Sequence, residues 1–144
     1  MTNKKKEKVI IPKPRNNGTM TESAFWSFIR SSLRKASMYW KPLQQCKLEA
    51  RRPSKNSNKR QKWEYQCAEC TKWFKGEEIQ VDHIIDAGSL KSADDLKGFI
   101  ERCFVEAGGY QVLCKACHQI KTNAAREANK LLKQQLLDGH STSE

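Results

Sequence analysis

Cys67-Ala-Glu-Cys70 and Cys114-Lys-Ala-Cys117-His118 bracket a stretch that contains Val81-Asp-His-Ile-Ile85. A two-residue spacing lets both thiolates of one turn reach a single ion, and two such turns complete the tetrahedral sulfur set that zinc prefers. The gap between the two knuckles is longer than in a minimal zinc ribbon, so further structure is built between them. A metal staple of this kind leaves Asp82, His83 and His118 as the acid and the two imidazoles able to gather beside it.

Working outward, the rest of the composition makes such a staple useful. The 144 residues suit one domain with an arm. Only 38% are hydrophobic and the mean hydropathy is −0.81, too little for a large core, so a bound metal should supply much of the stability. No apolar run approaches membrane-spanning length. Met1-Thr-Asn-Lys-Lys-Lys-Glu-Lys8 is charged and lacks the apolar segment of a secretory signal. A reducing cytoplasmic setting is therefore expected, where paired cysteines bind metal in preference to forming disulfides. Cys46 and Cys103 fall outside the scheme and read as small apolar residues.

Charge is unevenly placed. Residues 1–62 hold 17 Lys and Arg against three acids, while residues 63–144 hold 10 against 13. The front of the chain reads as a polyanion-binding surface, with nucleic acid the expected partner and neither a membrane nor a small molecule. Four segments follow: a disordered basic arm over 1–18, a basic helical extension and linker over 19–62, a zinc-stabilised domain over 63–137, and a tail over 138–144.

Thr21 can cap a helix running to about Met38, with Phe25, Ile29, Leu33 and Ala36 on one stripe and Ser27, Arg30, Ser31 and Arg34 opposite. Arg30 and Arg34 either are solvated or contact phosphate. Trp26 and Trp40 read as packing anchors. Residues 51–62 have no apolar member and read as a linker or surface loop whose Arg51, Arg52, Lys55, Lys59, Arg60 and Lys62 can track DNA. Alternation predicts short strands near 63–67 and 79–84, and another over 110–113. A helix starting near Ser92 should bury Leu96, Phe99, Ile100 and Cys103. A final helix from about Ala116 to Leu137 should bury Ile120, Ala124, Ala128, Leu131 and Leu132.

A carboxylate suits a hard divalent ion, and an imidazole serves as a general base near neutral pH. With Cys-x-x-Cys-His beside it, the Asp82-His83 pair resembles the HNH family of nucleases, through Val81-Asp-His-Ile-Ile85 and Gln111-Val-Leu-Cys-Lys-Ala-Cys-His-Gln-Ile-Lys-Thr122. The resemblance covers residues 63–126, and the basic front segment is similar to that of small phage-encoded homing endonucleases, which would work in the host cytoplasm. It implies an α+β, zinc-stapled ββα-metal fold with an N-terminal basic helical extension. It further implies a DNA endonuclease in which His83 is the general base, and Asp82 and His118 hold a catalytic Mg²⁺ or similar ion. Cys67, Cys70, Cys114 and Cys117 would hold a separate structural zinc. The family's middle Asn is missing: its place is Gly108-Gly109, and no Asn lies between Asp82 and His118. That departure favours the other reading, a zinc-dependent DNA-binding or regulatory module without catalysis.

Overall fold

The computed structural model describes residues 8–139. The part of the basic arm over 1–7 and the part of the tail over 140–144 lie outside them. Among the described residues four α-helices and five strands follow in the order α1 (Glu22–Ser37), α2 (Lys41–Glu49), β1 (Arg51–Pro53), β2 (Trp63–Gln66), β3 (Trp73–Phe74), β4 (Ile79–His83), α3 (Leu96–Cys103), β5 (Tyr110–Cys114) and α4 (Lys115–Gly139), with short 3-10 turns between them, a mixed α+β arrangement. Packing divides it differently from its sequence order. One unit comprises the chain through Trp40 together with Ile85–Phe104; the other comprises Lys41–Ile84 together with the chain from Val105 onward. The segment expected as one domain over 63–137 thus gives residues 85–104 to the first unit.

In the first unit, residues 8–14 run exposed without regular structure. The stretch from Arg15 to Met20, placed partly in the arm from sequence, instead folds back on itself. Its two ends bridge, and Asn16, Asn17 and Gly18 turn the chain at positive φ. Thr21 then caps α1 as expected, its hydroxyl accepting from Ala24 N at 3.1 Å. Glu22 in the first turn accepts from Arg15 and from the Trp26 indole, whose ring is buried. The core is Trp26, Ala87, Leu90, Phe99 and Cys103, flanked by Phe25, Ile29, Leu33, Leu96 and Phe104. Ala36 is exposed, so the predicted stripe stops a turn early, and Ile100 of α3 is 39% exposed where burial was expected. Trp40 meets Phe104 edge to face, 5.6 Å between ring centres.

In the second unit, β1, β2 and β3 form an antiparallel sheet in that order, and β4 pairs with β5. The linker expected over 51–62 is in fact a hairpin: Arg51–Pro53 pairs with Trp63–Tyr65, and the loop between is tied by its own polar groups. Ser54 N donates to Lys62 O at 3.0 Å, and the Asn58 carboxamide accepts from Arg60 N at 3.1 Å. Ladder hydrogen bonds, invisible in a run without apolar residues, decide this. The core gathers Cys46, Ile79, Tyr110 and Val112, with Cys67, Leu113 and Cys114 in a smaller cluster beside the knuckles. The last helix departs from expectation. No residue of α4 is buried; Ile120, Leu131, Leu132, Leu136 and Leu137 are 57–70% exposed, and Ala124 and Ala128 are exposed too. The helix rests on β4 and β5, and its later leucines stay exposed. Among the described residues, no helix is long and apolar enough to cross a membrane.

Candidate functional site: a four-cysteine centre and an acid-imidazole cluster

The first knuckle follows β2. Cys67 N donates to Lys72 O at 2.9 Å, Thr71 turns the chain at φ 60°, and Ala68 N donates to Val112 O at 2.8 Å, docking the knuckle against β5. The second knuckle is made by the end of β5 and the first turn of α4, where Cys117 N donates to Cys114 Sγ at 3.4 Å. The sulfurs of Cys67, Cys70, Cys114 and Cys117 all lie within 4.8 Å of one another, and those of Cys70 and Cys114 are 4.0 Å apart. Tetrahedral zinc with bonds of about 2.3 Å needs sulfurs a little under 4 Å apart, so the donor set is positioned to bind such a metal.

Electrostatics point the same way. Burial works to raise the Cys67 thiol, but hydrogen bonds from the backbone at Cys114, Cys70 and Glu69 bring it down to about 6. Cys117 is pushed up to about 12, first by its hydrogen bond with Cys114 and then by burial. Neighbouring thiolates repel one another; a dication among them removes that penalty and favours all four in the charged form.

The acid and the imidazoles sit on the β4–β5 hairpin and the start of α4. In the ladder Asp82 lies opposite Gln111 and His83 opposite Tyr110. Alternation along β4 sends the two to different sides. Asp82 faces α4: its Oδ1 is 3.8 Å from His118 Nε2, and its Oδ2 accepts from Gln111 Nε2 at 3.4 Å and from Lys121 Nζ. His83 is on the face of Ile79 and Val81. It is 7% exposed, with its ring 4.8 Å from that of Tyr110. The structure therefore brings Asp82 and His118 together and sets the His83 ring against the core.

Lys121, to which the sequence assigns no role, and Gly109 enter here. The Lys121 ammonium donates to the Asp82 carboxylate, to His83 O and, at 3.4 Å, to Ile84 O. Its place one turn after His118 was the available signal, since residues three apart share a helix face. Gly109 O accepts from Ile84 N at 3.0 Å, and a Cβ at this glycine would lie 2.5 Å from Val105 Cγ2. A side chain does not fit at that position; the main chain ties the segment after His83 instead.

The basic candidates separate into two groups. Arg30 donates from Nε and Nη2 to Gly88 O at 3.1 and 3.0 Å and lies over the Phe99 ring, so it braces its own unit rather than presenting a free fork. Arg34 is half-buried. Arg52 pairs with the buried Glu64 at 2.6 Å and lies 3.6 Å over Trp73, while Arg51 lies 3.9 Å over Trp63. Lys55, Lys59, Arg60 and Lys62, on the hairpin loop, are exposed. No known protein family, curated protein or solved structure matches this chain.

Proposed function

We propose that the chain is a small DNA endonuclease of the HNH type, with a structural zinc at the four cysteines and one divalent ion at Asp82 and His118. The observation that carries this reading is the approach of Asp82 and His118, from a strand and from the helix after its partner strand, to 3.8 Å beside the cysteine cluster. A carboxylate and an imidazole so placed suit a hard cation that keeps water on its other positions. When bound, such an ion supplies positive charge where the leaving oxygen of a phosphodiester becomes negative. His83 accepts the proton of the attacking water, a task to which an imidazole is suited. Gly109 O and the Lys121 ammonium hold the backbone around His83, the support that the family draws from its middle Asn. Four sulfurs leave a zinc no open position, so that site takes no part in hydrolysis. The exposed cations of the β1–β2 loop contact phosphates.

Nicking of supercoiled plasmid with and without Mg²⁺ or Mn²⁺ tests the reading. His83→Ala should slow cleavage by about 10²–10⁴ and leave zinc content and DNA affinity at the wild-type level. His118→Ala should also lose cleavage but recover part of it at high Mg²⁺ or Mn²⁺, a rescue denied to His83→Ala because metal does not replace a proton acceptor.

A second reading is a DNA-binding module without catalysis. Three observations favour it: the Lys121 ammonium already on the Asp82 carboxylate, the burial of His83, and Gly109. Wild-type protein that binds plasmid yet leaves it intact across a panel of divalent ions decides for this second reading.

A further inference from the structure

A cleft of about 470 Å³ lies beside β2, outside the Asp82 cluster. Trp63 and Tyr65 line it, with Arg60 and Lys62 from the hairpin loop and Lys75 after β3; Glu77 is its one acid. The two aromatics are two positions apart on one strand, so they share a face of the sheet. Tyr65 packs against the core of Cys46, Ile79 and Tyr110, which makes it a fixed floor. Trp63 is 38% exposed, and the Arg51 guanidinium lies 3.9 Å from its ring centre. Lys47 stands 5.3 Å from the Tyr65 ring. The volume is within the range of small-ligand sites.

A partly open indole, polarised by a cation and ringed by further cations, matches one chemistry. It offers a π-face to a flat base and positive charge to the phosphates on either side of it. In a duplex the bases are stacked and present only their edges, so the matching ligand is an unpaired nucleotide. We propose that this cleft binds one unpaired nucleotide of a DNA strand, its base against Trp63 and its phosphates on Arg60, Lys62 and Lys75. The inference deepens the DNA-cleavage reading, but its test needs no cleavage.

Fluorescence anisotropy with a labelled oligo-dT and a labelled duplex of equal length, in the absence of divalent ions, provides that test. Trp63→Ala should weaken oligo-dT binding by about 5- to 150-fold, the loss of one base–aromatic stack, while duplex affinity changes by less than about twofold. Trp63→Phe should restore most of the loss, and Lys62→Gln should weaken both ligands. If Trp63→Ala does not fold, Trp63→Leu keeps an apolar strand residue without the π-face, and the same comparison applies. Unchanged oligo-dT affinity in a folded Trp63 variant, equal losses for both DNAs, or no oligo-dT binding by the wild type would overturn the proposal. A protein that never nicks plasmid yet binds oligo-dT through Trp63 removes the nuclease reading and leaves this one standing.

Discussion

At Gly109 the reason no side chain is found is local. Val105 is β-branched and stiff about χ1, so its methyl has no easy rotamer away from a new Cβ placed 2.5 Å from it. Gly109→Asn is therefore expected to destabilise the zinc-loaded protein by about 1–3 kcal/mol, the usual penalty for overpacking. Val105→Ala in the same chain should recover part of it, read from urea midpoints; equal midpoints for wild type and Gly109→Asn would show that the segment yields freely. Among the cysteines each thiolate counts fully, because three sulfurs leave a zinc ion open to water. Cys114→Ser should yield protein with less than stoichiometric zinc by metal analysis and a strong tendency to aggregate. A well-folded, zinc-free sample of the wild type would remove the zinc assignment altogether.

At the scale of elements, α1 and the β1–β2 hairpin divide the basic charge between two kinds of work. Arg30 is spent inside its own unit, bridging to Gly88 O from two nitrogens. Arg30→Ala should lower the stability of the unit by about 1.5–3 kcal/mol, the range for hydrogen bonds to a charged group, and leave DNA affinity within about twofold. Chemical denaturation and anisotropy on the same samples separate the two effects. The hairpin loop behaves in the opposite sense. Its local Asn and Ser hydrogen bonds fix the backbone while Lys55, Lys59, Arg60 and Lys62 project outward. Replacing the four with Gln should leave the zinc content intact and flatten the slope of log affinity against log salt by about 0.9 for each phosphate no longer neutralised. An unchanged slope would mean that these cations are only solvated.

Over the whole molecule, the burial is thin and split. The largest fully buried side chains are Phe99, Cys67 and Cys103, so neither unit owns a broad apolar centre. In the second unit the four cysteines join the end of β2, the end of β5 and the start of α4. A structural zinc there would contribute on the order of 10 kcal/mol or more, which exceeds the net stability of many small domains. Stripping the metal with a strong chelator should therefore collapse the second unit cooperatively and expose Trp63 and Trp73, seen as a red shift of tryptophan emission reversed by added zinc. Emission indifferent to chelation would place the stability of that unit in its apolar core instead.

What the sequence by itself determined was whatever depends on spacing along the chain. The Cys-x-x-Cys pairs announce a four-cysteine cluster able to hold a metal because the ligand reach of one turn is local. Thr21 followed by Phe25, Ile29 and Leu33 announces α1 because a cap and a 3.6-residue period are local too. Trp63-Glu-Tyr and Ile79-Gln-Val announce strands by alternation, and the approach of Asp82 to His118 was legible through the motifs at the two ends, whereas His83 faces the other side of β4. Tertiary structure decided the rest. Arg51-Arg-Pro became a strand because a ladder uses backbone N–H and C=O groups, which Arg51 and Arg52 share with every non-proline residue and of which Pro53 at the strand end keeps the carbonyl. Arg30 turned inward because its acceptor is a main-chain carbonyl, at Gly88, which no side-chain pattern marks; Lys121 joined the cluster because the fold sets α4 against β4, where both the Asp82 carboxylate and His83 O accept from it. The leucines of α4, periodic enough to predict burial, stayed exposed, since periodicity shows that a helix has an apolar face and only the fold supplies something to cover it.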